Sequence, residues 1–274
     1  MNIKKKIALV TGASSGLGRE FTIQIAQKYD FDEIWIFARR AEKLTELAKK
    51  INSEQHKELV KPVSLDLSGK EGVKALKNYL DLNAPKDSVT VGLLVNNAGY
   101  GTYGPFDQVS LTAQMDMIEL NCTTLTGICG IIMPYLEKNS VIINTASLAG
   151  FMPLGNFAVY AATKAYALNF TIALAAELKD KGIKVHALCP GSVSTEFANV
   201  ASAGVRPVVK GGKDPVKVVA HCLKRAFKGK KISLWAFKWK FNAFLSRIAG
   251  RYTVARITYK TNPRPRKSEE SIDL

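Results

Sequence analysis

Tyr160-Ala-Ala-Thr-Lys164 sets a phenol and an ammonium four residues apart. On a helix that spacing puts both on one face, one turn from each other. A free phenol has a pKa of about 10, and a fixed positive charge beside it favours the phenolate. The pair is a candidate acid/base device for a carbonyl or an alcohol. The same spacing arises by chance on many helices. The chemistry therefore also requires a hydride carrier, a hydrogen-bonding partner for the reacting oxygen, and a pocket.

Gly12-x-x-x-Gly16-x-Gly18 follows the apolar run Ile7-Ala-Leu-Val10 and precedes a helical repeat of Leu17, Phe21, Ile25 and Tyr29. Glycines there let backbone approach a pyrophosphate, and the following helix aims its free N–H groups and positive dipole end at it. Ser14 and Ser15 add further donors. The next apolar run ends in Ala38-Arg39-Arg40, with no carboxylate for a free ribose 2′-hydroxyl. Two guanidiniums suit a 2′-phosphate, which favours NADP(H) over NAD(H). Further on, Asp66-Leu67 and Asn96-Asn97-Ala98-Gly99 supply a carboxylate and a small-residue turn, suited to the adenine edge and to close approach of a ribose.

These groups must be positioned by elements, and the elements alternate. β-rich runs at 7–10, 33–38, 62–66, 89–95, 141–145 and 183–188 are separated by helical patterns at 42–50, 70–80, 111–133 and 157–178, the last of these followed by Gly182 as a stop signal. Near-continuous apolar strands interleaved with helices predict an α/β fold, a single doubly wound parallel-sheet domain of Rossmann type with helices on both faces. Ligands in such a sheet lie at the carboxyl ends of the strands. We assign 1–235 to this dinucleotide-binding and catalytic domain and 236–274 to a basic amphipathic extension.

Thr11-Gly12-x-x-x-Gly16-x-Gly18, Asn96-Asn97-Ala98-Gly99, Ser147, Tyr160-x-x-x-Lys164 and Pro190-Gly191-x-Val193-x-Thr195, in this order and spacing, resemble the short-chain dehydrogenase/reductase family over about residues 5–230. The resemblance implies a nicotinamide cofactor and a catalytic tetrad. Tyr160 would be the general acid/base, Lys164 would lower its pKa and hold the nicotinamide ribose, and Ser147 would hydrogen-bond the substrate oxygen. Asn121 would hold a proton-relay water near the lysine. Pro190, Gly191, Val193 and Thr195 would line the nicotinamide, and 197–212 would form a mobile lid. Homodimers or homotetramers through the fourth and fifth helices are implied as well.

The stretch between Ser147 and Tyr160 carries Phe151, Met152, Leu154 and Phe157 and no charge, which suits a small apolar carbonyl or alcohol substrate, steroid- or acyl-like. The resulting expectation is an NADP(H)-dependent carbonyl reductase or alcohol dehydrogenase, with a 3-oxoacyl reductase as the alternative. A non-catalytic nucleotide-sensing protein is the alternative from another class.

Composition frames these expectations. The chain has 274 residues and a net charge of +16, concentrated at one end: from Lys210 onward 17 basic residues face 4 acidic ones. Such a tail suggests an anionic partner. Phe237, Phe241, Phe244, Leu245 and Ile248 recur there at helical spacing among Lys238, Lys240 and Arg247, a second helical run covers 252–260, and the end from Asn262 reads as disordered. The amphipathic tail is expected to dock on the domain or a sister subunit, to extend the lid, or to make peripheral contact with an anionic membrane. Nucleic acid is the weakest fit. Cys122, Cys129, Cys189 and Cys222 show no close pairing, so no metal is expected and the thiols suggest a reducing, cytoplasmic setting. His56, His186 and His221 are scattered. The short apolar run after the N-terminal lysines reads as a strand and not a leader. With no run of about 18 apolar residues, no transmembrane helix is expected.

Overall fold

The computed structural model describes residues 4–207, 209 and 211–266. Strands β1 (Lys5–Thr11), β2 (Glu33–Ala38), β3 (Val60–Ser64), β4 (Val89–Asn96), β5 (Val141–Thr145), β6 (Lys184–Leu188) and β7 (Ile232–Ser233) form one sheet in the order β3-β2-β1-β4-β5-β6-β7. Every neighbouring pair is parallel. The helices are α1 (Gly16–Lys28), α2 (Ala41–Gln55), α3 (Gly69–Asn83), α4 (Leu111–Ile118), α5 (Leu125–Ile132), α6 (Ala158–Glu177), α7 (Phe197–Ala201), α8 (Pro215–Phe227), α9 (Phe237–Leu245) and α10 (Arg251–Thr261).

Period-two alternation explains the two layers. Ala8 and Val10 of β1 and Ile34 and Ile36 of β2 face Phe21, Ile25, Leu44, Leu47, Val218 and Leu223 from α1, α2 and α8. Ile7, Leu9, Trp35 and Phe37 face the other way, onto Leu76, Leu80, Ile128, Ile132 and Leu174 from α3, α5 and α6. The strand order reverses direction between β1 and β4, which opens the ligand crevice at their carboxyl ends.

Four features depart from the sequence expectation. First, α8 was not anticipated. Its start carries ordinary signals, an Asp214 side chain accepting from Val216 N at 2.9 Å and Pro215 in the first turn. Second, the helix expected over 111–133 contains a π-helical stretch, Glu119–Thr124, between α4 and α5. Third, that continuous helical run, Leu111–Tyr135, is long and apolar enough to cross a membrane by length and composition. Counting consecutive apolar residues missed it because Gln114, Asp116, Glu119 and Asn121 interrupt the run. In the fold it is an element of the domain, with Gln114, Met117, Asn121, Leu125, Ile128 and Ile132 buried. Fourth, α9 stops at Leu245, and its buried residues are Trp239 and Ala243, not the repeating phenylalanines. The expected disorder beyond Asn262 is not seen up to Arg266, and from Lys267 it lies outside the described residues.

Candidate active site and dinucleotide crevice

The glycine loop has the geometry that its residue types require. Gly12 and Gly16 adopt φ of 66° and 52°, a region L-residues with a Cβ avoid. A Cβ on Gly18 would collide with the Gly12 carbonyl, so α1 can start this close to β1 only with glycine there. Ser15 precedes α1 without capping a backbone N–H through its side chain, so the helix start keeps donors facing the crevice. Leu17 packs partly against the core. This cradle, which a Cβ would fill, fits a pyrophosphate.

The two arginines part company. Arg40 is engaged: its Nε and Nη2 donate to Ser14 Oγ at 3.1 and 3.0 Å, and Nη1 pairs with Glu196 at 2.9 Å. Lys43 shares the same carboxylate at 3.0 Å. Arg39 is exposed, and its guanidinium makes no hydrogen bond or ion pair among the described residues, so it is the open cation at this edge. At the third strand end Asp66 is exposed and accepts from Ser68 N at 3.0 Å, while the Leu67 side chain lies in the core. Thr11 Oγ1 accepts from Asn97 N and Ala98 N, both at 2.9 Å, and Asn97 Oδ1 accepts from Thr145 Oγ1 at 3.2 Å. Asn97 thereby ties β1, β4 and β5 together beneath the crevice.

The loop after β6 closes from the other side. The Pro190 carbonyl accepts from Leu148 N at 2.8 Å and from Ser147 Oγ at 3.3 Å. Gly191 lies so close to Trp239 that a Cβ would strike the indole. Val193 is a core residue. Thr195 abuts Gly16, so this loop reaches across to the phosphate cradle.

All four tetrad residues meet at the centre. Asn121, buried in the π-helical stretch, donates through Nδ2 to Tyr100 O at 2.9 Å and Thr163 Oγ1 at 3.0 Å, and its Oδ1 accepts from Tyr100 N at 3.2 Å. It adjoins Gly99, as does the Lys164 ammonium. Lys164 is buried, donates to Thr145 O at 2.9 Å, and lies 5.7 Å from the centre of the Tyr160 ring. Ser147 Oγ accepts from Ala149 N at 3.1 Å and lies near enough to the Tyr160 phenol to favour its ionised form.

The acidities correct one expectation. Burial holds the Tyr160 phenol above its ordinary pKa; Tyr103 adds to this, while the Ser147 hydroxyl and the Arg264 charge oppose it. Lys164, expected to lower it, is not among the groups that act on the phenol, and burial sets the direction. A phenol kept protonated is the form that donates a proton. Burial also lowers Lys164 to about 8. The unfolded lysine titrates near 10.4, so between about pH 8 and 10 the unfolded chain binds more protons and stability rises with pH. Denaturant melts of wild type and Lys164→Met should show the wild type gaining on the variant from pH 8 to 10. An unchanged difference would contradict the burial.

In front of the phenol stands an aromatic wall. Phe157 stacks on Tyr160 at 4.1 Å, Tyr103 meets Phe157 at 4.9 Å, and Phe197 lies 5.4 Å from Tyr160. Part of the expected lid is thus helix α7, with its first residue facing the phenol; Val208 and Lys210 lie outside the described residues. The sequence reading missed Glu196, Trp239 and Arg264. Trp239 is set off from the phenylalanine repeat, the one signal that could have marked it.

The short chain dehydrogenase family model matches residues 6–205. A very-long-chain 3-oxoacyl-CoA reductase of Aspergillus oryzae is 31% identical over 200 residues, covering 72% of this chain and 56% of that protein, so the chain spans little more than half of that relative's length. An NADP-dependent 3-hydroxy acid dehydrogenase of Schizosaccharomyces pombe is 32% identical over 203 residues, covering 73% and 76%. A short-chain dehydrogenase from Sphingobium yanoikuyae, solved in complex with NADPH, shares the fold with a TM-score of 0.75 over 97% of this chain and 99% of that one, at 24% identity. The glycine loop, the meeting of Ser147, Tyr160 and Lys164, and these matches lead to one conclusion: the chain belongs to the short-chain dehydrogenase/reductase family of oxidoreductases.

Proposed function

We propose that the protein is an NADP(H)-dependent oxidoreductase interconverting a carbonyl and a secondary alcohol on a substrate with an apolar body, steroid- or acyl-like. The observation that carries this reading is the Ser147–Tyr160 hydroxyl pair, buried behind Phe157 with Lys164 alongside. Gly12, Ser14, Ser15, Gly16, Leu17 and Gly18 would hold the pyrophosphate, and Arg39, with Arg40 beside it, the 2′-phosphate. Asp66 and Leu67 would border the adenine; Asn97, Ala98, Gly99, Tyr160 and Lys164 the ribose; and Pro190, Gly191, Val193 and Thr195 the nicotinamide. When bound, the nucleotide supplies the hydride. Tyr160 gives its proton to the substrate oxygen, Ser147 donates a hydrogen bond to that oxygen and supports its developing charge, and Lys164, with a relay water held by Asn121, returns a proton to Tyr160.

Similarity to a 3-oxoacyl-CoA reductase favours reduction of a 3-oxoacyl group as the second reading. A panel of keto steroids, 3-oxoacyl thioesters and bulky ketones, followed by NADPH consumption, tests both. Nucleotide binding without turnover on any member would favour a nucleotide-sensing protein.

The tail supports peripheral membrane contact by a cytoplasmic protein. With Trp239 and Ala243 docked, α9 leaves Phe237 81% and Phe244 60% exposed, with Ile248 and Tyr252 beyond them at 69% and 81%. Lys238, Lys240 and Arg247 are also exposed. Apolar and basic groups on one surface suit an anionic bilayer. Co-sedimentation should be seen with vesicles containing anionic lipid, not with zwitterionic vesicles, and should be lost in Phe241→Ser/Phe244→Ser. Binding unaffected by the double substitution would argue against this role. On another face Met115, Ile118, Tyr166 and Ile172 are exposed along α4 and α6, which supports a homodimer or homotetramer through those helices.

A further inference from the structure

The end of the described chain returns to the catalytic wall. A Cβ on Gly155 would collide with Tyr259 of α10, Gly155 N donates to Thr258 Oγ1 at 3.0 Å, and Asn156 Nδ2 donates to Tyr259 O at 3.0 Å. These contacts anchor α10 beside the stretch between Ser147 and Tyr160 and bring Arg264 over it. The Arg264 guanidinium lies 4.9 Å from the Phe157 ring centre and 6.0 Å from that of Tyr103. Phe157 is itself stacked on Tyr160, so a single ring separates this cation from the catalytic phenol.

Arg264 is half-buried, and its one described hydrogen bond runs from Nη1 to Gly155 O at 2.9 Å. Among the described residues no carboxylate comes within ion-pair distance of it. Arg206 is also close, its Nη2 donating to Pro263 O at 3.2 Å. Glu196, the acid on the neighbouring loop, is committed to Arg40 and Lys43. A guanidinium stays charged, and drawing it out of water without a counter-charge is costly. Its planar fork matches an oxyanion. Among the described residues the site therefore presents an apolar, aromatic wall on which the Arg264 guanidinium has no carboxylate partner, a short distance from the proton donor.

We propose that Arg264 is a specificity-determining residue that pairs with an anionic group of the substrate, a carboxylate, sulfonate or phosphate a few bonds from the carbonyl that Tyr160 protonates. This rests on the oxidoreductase reading above and narrows its substrate class from apolar ketones to amphipathic keto anions. The strap formed by α10 and residues 262–266 is what delivers the cation.

A matched pair of probes tests it, 4-oxodecanoate and its methyl ester, which share chain and ketone and differ in charge. With NADPH the wild type should prefer the acid in kcat/KM. Arg264→Met should lower kcat/KM for the acid about 30-fold, the scale of a hydrogen bond to a charged group, with the loss in KM, and leave the ester within a few-fold. Arg264→Lys should recover part of the preference, and Gly155→Val, which displaces α10, should abolish it. Calorimetric titration of both probes into the protein–NADPH complex reads the same preference without turnover. Arg264-dependent binding of the acid with no reduction would keep the anion site and sink the oxidoreductase reading. Equal losses for acid and ester, or no preference for the acid in either readout, would overturn the proposal. Acyl substrates whose anion is a distant phosphate are separated by a third arm, 3-oxodecanoyl-CoA, whose kcat/KM should be insensitive to Arg264→Met if the anion must lie near the carbonyl.

Discussion

Replacing Tyr160 by Phe is expected to lower turnover by about a thousandfold while leaving NADPH affinity nearly unchanged. The size follows from the role, since a positioned general acid contributes about 10²–10⁴-fold. The sparing of affinity follows from the packing. The ring is held by stacking on Phe157 and by contact with Phe197, and phenylalanine keeps both. Only the hydroxyl beside Ser147 is lost. Steady-state rates and a fluorescence titration of NADPH on the same preparation check both halves. Substantial residual turnover would remove Tyr160 from the proton path. A parallel collapse of NADPH affinity would mean that the substitution had disturbed the crevice.

The second large effect concerns the choice of nucleotide. Arg39→Ala should weaken NADPH by about 1.5–3 kcal/mol, roughly 10- to 150-fold in Kd, with little change for NADH. The structure sharpens this beyond what two adjacent arginines suggest. Arg40 already serves Ser14 and Glu196, so Arg40→Ala should cost less NADPH affinity than Arg39→Ala. Paired titrations with both nucleotides on both variants decide the matter. Equal losses for NADPH and NADH in Arg39→Ala would remove the 2′-phosphate role.

The parts of the site legible in the sequence are those whose chemistry is local. Gly12, Gly16 and Gly18 are demanded by backbone angles and close approach within one loop, and the pattern shows directly in the chain. The alternation of β1 and β2 placed the two core layers for the same reason, since side-chain direction follows position along the strand. Tyr160 and Lys164 share a helix face because they are four residues apart.

What was not legible depends on distant packing. Whether the Tyr160 pKa falls or rises is decided by Phe157, Phe197 and Tyr103 gathering around it, which no spacing rule reports. The different fates of Arg39 and Arg40 depend on Glu196, more than 150 residues away in the chain. The charge on the catalytic wall comes from Arg264, on a segment that composition alone marked as disordered. The tail was legible as amphipathic, yet its repeating phenylalanines are the exposed residues and Trp239 is the anchor. Helical spacing identifies a face, and only the fold decides what that face meets.

In the proposed reaction this crevice passes a hydride to a carbonyl carbon while Tyr160 protonates the oxygen. The most direct measurement uses NADPH carrying deuterium at the transferable ring position, with a ketone from the panel, and analysis of the alcohol by mass spectrometry. One deuterium is expected on the carbinol carbon, formed by the wild type and not by Tyr160→Phe. Alcohol formed without label, or label transferred equally well by the variant, would contradict it.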